Sequence, residues 1–129
     1  MKTIAFDVMG NDNGVQAGVS AAIKFSQANP QYVLILIGDK QEMMKYGSET
    51  KNISFLDVPQ TASLKIGIRE SRRVKSSMNV AIDLVKNKKA EAVISSGDSG
   101  IFLSLATLNL KRLKGITRPA FMPLSLIHI

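Results

Sequence analysis

The segment Ser95-Ser96-Gly97-Asp98-Ser99-Gly100 lies between an apolar run, Ala92-Val93-Ile94, and an apolar stretch from Ile101 to Leu110. A strand that ends in small polar residues and restarts as a helix leaves backbone N–H groups at the helix start, where the dipole also favours an anion. Ser96, Gly97, Ser99 and Gly100 are therefore candidates to seat a phosphate. A second pair of hydroxyls, Ser76 and Ser77, precedes Met78, Ala81, Ile82 and Val85, whose spacing makes one apolar stripe of a serine-capped helix. A third cluster follows Ile4-Ala5-Phe6. It consists of Asp7 at the strand end and the turn Gly10-Asn11-Asp12. Together these groups could hold a phosphate, donate hydrogen bonds to a developing oxyanion, and orient the loops that carry both. Each also has an ordinary structural role, since Ser and Asp cap helices and turns. For Asp39 capping is the better reading, and Met9 and Met78 read as gap-filling packing residues.

The elements that must position these residues alternate. Ile4 to Val8 reads as a first strand, Val15 to Ala28 as a helix stopped by Asn29-Pro30, and Tyr32 to Ile37 as a continuous apolar strand buried on both faces. A short helix opens at Gly38-Asp39 and ends near Gly47, Ile53 to Leu56 is a third strand, and Pro59 to Ser63 a loop. Leu64 to Arg73 carries no clear period. The serine-capped helix, the strand Ala92 to Ser95, the helix Ile101 to Leu110 and the start of a strand at Arg118 to Met122 complete the order. Strand and helix in alternation predict a three-layer α/β fold, a doubly wound and mainly parallel sheet with right-handed crossovers. In such sheets ligands bind beyond the carboxyl ends of the strands, and all three candidate loops fall on that rim.

Composition narrows the function. The chain has 129 residues, 45% of them hydrophobic, enough for one core. It has no Cys, which excludes disulfides, thiolate metal sites and a cysteine nucleophile. No apolar run is long enough for a signal peptide or a membrane span, so a cytoplasmic location is expected. The formal charge of +7 is clustered at Arg69 to Lys75, Lys86 to Lys89 and Lys111 to Arg118. The middle cluster suits a solvated helix end; the others suit an acidic partner. With 5% aromatic residues and no nucleic-acid motif, nucleic acid is not the expected partner. Neither GxGxxG nor GxxxxGK[ST] occurs, which removes the usual support for dinucleotide or nucleoside triphosphate binding.

Four segments in the same order, Ile4 to Asp12, Ser76-Ser77-Met78, Ser95 to Gly100 and Lys114 to Ala120, resemble the bacterial phosphate acyltransferases of phospholipid synthesis. The resemblance implies a fold related to isocitrate and isopropylmalate dehydrogenases. It also implies a reaction that moves a fatty acyl group from acyl carrier protein to inorganic phosphate, giving acyl phosphate without a cofactor or metal. It covers the chain to Leu124 and leaves Ser125 to Ile129 as a truncated or non-native tail. Family members are much longer, so the resemblance implies an N-terminal portion, homodimeric in the full-length form. The pattern departs at Asn11 and Asn13, where the family has Gly and His, and at Asp98-Ser99, where it has Asn-Thr. Asp98 adds negative charge beside the proposed phosphate seat, and Lys75, where the family commonly has an acid, could offset it.

On this reading Asp7, Ser76, Ser77 and Asp98 are the candidates for catalysis, and Gly10, Asn11 and Asp12 join Ser96, Gly97, Ser99 and Gly100 in binding phosphate. An acyl-serine intermediate lacks a base, because His128 in the tail is the lone histidine and Lys75 the remaining candidate. Arg72, Arg73, Lys111 and Arg112 are expected to steer the acidic acyl carrier protein. The same patch could meet anionic lipid, giving peripheral membrane contact. The alternatives are a non-catalytic phosphate- or nucleotide-binding module and an inactive truncated fragment that exposes an edge strand.

Overall fold

The structure is a computed structural model and describes residues 2–10, 14–61 and 74–110. Four strands, β1 (Lys2–Asp7), β2 (Tyr32–Gly38), β3 (Ile53–Asp57) and β4 (Ala92–Ser95), form one sheet in the order β3-β2-β1-β4. Every neighbouring pair is parallel, with Asp7 opposite both Ile37 and Ser95. The helices are α1 (Gln16–Ala28), α2 (Lys40–Met44), α3 (Ser77–Lys86) and α4 (Ser99–Leu110). This is the three-layer α/β architecture read from the alternation of strands and helices.

The order of strands matters more than their number. From β1 the chain steps to β2 and then β3 in one direction, with α1 and α2 on one face. It then crosses to the far side of β1, with α3 on the other face. The reversal lies between β1 and β4, and a crevice opens at the carboxyl ends of two strands where their connections leave in opposite directions.

Strand alternation divides the core. Leu34, Leu36, Ile53 and Phe55 meet Val15, Val19 and Ala22 of α1 and Met43 of α2. Ala5 and Ile37 face the opposite way, onto Ala81 and Val80 of α3. β2 is central and apolar on both sides, as its unbroken hydrophobic run requires. α4 does not reach the sheet in the same way. It packs on α3 through Leu105, Ile101 and Phe102 against Met78 and Ile82.

The helix ends follow their local chemistry. Asp39 caps α2, its Oδ1 accepting from the N–H groups of Gln41 and Glu42. That is the role the sequence suggested. α3 ends at Lys86, and Lys86, Lys88 and Lys89 are exposed there, where cations offset the carbonyl end of the dipole. No helix among the described residues is long and apolar enough to cross a membrane.

Candidate active site

The crevice between β1 and β4 is organised around one buried carboxylate. Asp7 is 1% exposed and joins the two loops that leave its neighbouring strands. Its Oδ1 accepts the N–H of Met9, in the loop after β1, at 3.0 Å. Its Oδ2 accepts the hydroxyl of Ser95, at the end of β4, at 2.9 Å. Ser95 Oγ accepts in turn the N–H of Gly97 at 3.1 Å. The hydroxyl of Ser96 donates back to the Asp7 carbonyl at 3.1 Å and lies 3.3 Å from that of Met9. Burial pushes the Asp7 carboxyl above its usual range, and hydrogen bonding from Ser77, Met9 and Ser95 offsets only part of that rise. A buried acid with a raised pKa at the mouth of a topological crevice marks a functional site on physical grounds.

The loops also touch. Gly10 has φ +86°, and a Cβ there would sit 3.1 Å from the Cα of Gly97. A Cβ on Gly97 would come within 2.8 Å of the Met78 Cε in the first turn of α3. The glycines therefore let the β1 and β4 loops meet backbone to backbone, with α3 directly behind them. Met78 packs where the sequence placed it.

The two serines of α3 separate cleanly. Ser76 is the N-cap, its Oγ accepting the Asn79 N–H at 3.2 Å. Ser77 is fully buried, and its hydroxyl makes no hydrogen bond of good geometry, although it lies close enough to Asp7 to draw that pKa down. Ser76→Ala should thus cost about 1 kcal/mol as a lost cap, while Ser77→Ala should be near neutral because it removes a poorly satisfied buried hydroxyl. Paired urea titrations check the contrast.

At α4 the carboxylate of Asp98 caps the helix, Oδ1 accepting the Ile101 N–H at 2.9 Å. Phe102 N–H reaches the Asp98 carbonyl, so the amides of Ser99 and Gly100 precede the first intrahelical bond on an exposed turn. Part of the helix-start field that would attract an anion is already met by Asp98. Beside the β1 loop, Met9, Gly10, Gly14, Val15, Asp39 and Glu42 line a cleft of about 190 Å³. Its two carboxylates make it a poor seat for phosphate.

A family model described as "Fatty acid synthesis protein" matches residues 2–125. The chain belongs to that family. It is 57% identical over 124 residues to a phosphate acyltransferase of Mycoplasmopsis pulmonis, covering 96% of this chain and 38% of that relative. It is 50% identical to one of Mycoplasma mobile, with the same coverage, and 40% identical to one of Crocosphaera subtropica, covering 91% of this chain and 35% of the relative. The fatty acid synthesis family membership bears out the resemblance carried by the four segments. The chain spans between about a third and two fifths of the length of these relatives.

Within this family member the structure brings Asp7, Gly10, Ser96 and Gly97 into one crevice, with Ser76 and Ser77 on the helix behind it and Asp98, Ser99 and Gly100 at its outer lip. Asn11, Asp12, Arg72, Arg73, Lys111 and Arg112 lie outside the described residues, as do the stretch 64–73 apart from its neighbours at 74 onward, the strand expected at 118–122 and the tail 125–129. Ser95 was not among the expected site residues. Its signal was its place at the end of β4, but only the strand register shows that this end stands opposite Asp7.

Proposed function

We propose that this chain carries the phosphate-facing portion of an acyltransferase that moves a fatty acyl group from acyl carrier protein to inorganic phosphate. Membership of the fatty acid synthesis family supports the reading, together with one geometric observation: two glycine-bearing loops meet over a buried acid at the reversal of the sheet. A phosphate oxygen attacks the thioester carbonyl carbon, the C–S bond breaks, and the proton of hydrogen phosphate passes to the departing thiolate. The products are acyl phosphate and the free carrier thiol. In this scheme the amides of Ser99 and Gly100, with the Ser99 hydroxyl, hold phosphate, and Asp7 is a positioning residue that fixes the loops rather than a group in contact with substrate. Arg72, Arg73, Lys111 and Arg112 supply the charge that draws in the acidic carrier.

The decisive assay compares acyl phosphate production by this chain with that of a version extended by the C-terminal remainder of the Mycoplasmopsis pulmonis relative. Formation of acyl phosphate by the extended protein, dependent on inorganic phosphate and on acyl carrier protein, is the expected result. Its failure in an extended protein that is folded would sink the reading. Asp98 gives a second test. Asp98→Asn keeps an oxygen for the Ile101 N–H and removes a negative charge from the proposed seat. It should tighten inorganic phosphate binding several-fold, read by titration calorimetry, at about 0.3–1 kcal/mol of lost charge–dipole stabilisation.

A further inference from the structure

The two faces of the sheet are unequally covered. α3 lies across β1, β2 and β4 on one face, whereas α1 lies over β2 and β3 on the other. Beyond α1 the sheet is bare. Ile94 of β4 is 50% exposed, Phe25 of α1 is 38% exposed, and with Ile4, Phe6, Ala22 and Leu34 they line an apolar groove of about 240 Å³. β4 is also an edge, paired only with β1 among the described strands. A third feature lies on the same side. α4 reads IFLSLATLNL from Ile101, apolar around most of its circumference, yet Leu105 is its only fully buried residue. A helix that is hydrophobic all round is normally enclosed, and an all-parallel sheet is normally covered on both faces.

We propose that this β4 side is the docking surface for the polypeptide that follows the matched segment in the full-length relatives, and that an apolar helix from that polypeptide fills the groove over Phe6 and Ile94. The relatives supply the occupant. The chain spans 38% of the Mycoplasmopsis pulmonis enzyme, so more than half of that protein is available to cover a surface the matched part leaves open. The groove, the unpaired edge and the apolar α4 adjoin one another, as a continuing doubly wound sheet would require: a strand beside β4 and a helix returning over the bare face. The inference concerns assembly of the fold and does not depend on which reaction the rim performs.

The chain has no cysteine, so Ile94→Cys introduces a single reporter at the centre of the groove. Its labelling by a maleimide, followed by peptide mass spectrometry, is compared in the chain alone and in the extended protein. The expected result is rapid labelling in the chain alone and at least tenfold slower labelling in the extended protein. Equal rates overturn the proposal. Slow labelling of the chain alone that speeds up on dilution also overturns it, by assigning the groove to a second copy. Ile94→Asp tests the same surface by energy. It should leave the melting temperature of the chain alone within about 1 °C and lower that of the extended protein by about 5 °C or more. A shift of the same size in both, or in neither, contradicts it.

Discussion

Asp7→Asn should leave the fold standing, remove a stretch of pH dependence from its stability, and cost the extended protein about 10²-fold in acyl phosphate formation. The three effects have one origin. The wild-type carboxylate accepts twice, from the Met9 N–H and the Ser95 hydroxyl. An amide can accept once and must donate once. If its oxygen faces Met9, its NH2 points at a Ser95 Oγ that already receives the Gly97 N–H, and the Ser95 hydroxyl loses its acceptor. If it is turned over, NH2 faces N–H at Met9. In either orientation one loop shifts, and a misplacement of the order of 1 Å at a reacting centre is enough for the stated loss. Stability responds differently, because ionised Asp7 is itself costly to bury. Its folded pKa lies above the 3.8 of the free side chain, chiefly through burial. As pH rises from that value through the folded one, the native state retains a proton the unfolded chain has released, so stability falls across the interval and then levels off. The Asn variant lacks this fall. Urea titrations from acid to neutral pH should show the wild type losing ground to Asp7→Asn as pH rises, and parallel curves would show that Asp7 is not the group responsible.

The sequence was most legible where local chemistry decides. Alternating apolar runs and capped helices placed all four described strands within two residues of their ends, and Asp39 and the 86–89 lysines took the helix-end roles their types suggest. It was less legible where register decides. Nothing local to Ser95 says that it stands opposite Asp7, because that pairing is made by two strands far apart in the chain. Nor does the spacing of Ser76 and Ser77 say which of them caps. The answer comes from the extended backbone of Ser76, with φ −93° and ψ 160°, which turns its hydroxyl onto the Asn79 amide and leaves Ser77 facing inward. At the last helix, the start expected at Ile101 moves back to Ser99 because Asp98 supplies a cap. A stretch read as an open phosphate loop is therefore already partly helical.

Gly10→Val should be the most destabilising change at the rim, at about 3 kcal/mol, with Gly10→Ala costing roughly half as much. Two costs add at this position. The backbone has φ +86°, a region that β-branched side chains tolerate worst. A Cβ would also stand 3.1 Å from the Gly97 Cα and 3.3 Å from the Thr61 Cγ2, and the first of these neighbours is backbone that can yield only by moving the whole β4 loop. Gly14 separates the two costs. It has φ +67° but no atom within 4 Å of a would-be Cβ, so Gly14→Ala carries the conformational strain alone. The gain from a less flexible unfolded chain is common to both alanine variants and cancels in their difference. An excess of about 1 kcal/mol for Gly10→Ala over Gly14→Ala, measured from urea midpoints, would report the contact between the β1 and β4 loops. In the extended protein Gly10→Ala should weaken phosphate binding while Gly14→Ala leaves it alone, because only the former moves Gly97 and the helix start that follows it. Equal behaviour of the two variants in both assays would mean that the loops yield independently, and that Asp7, rather than their direct contact, is what holds the rim together.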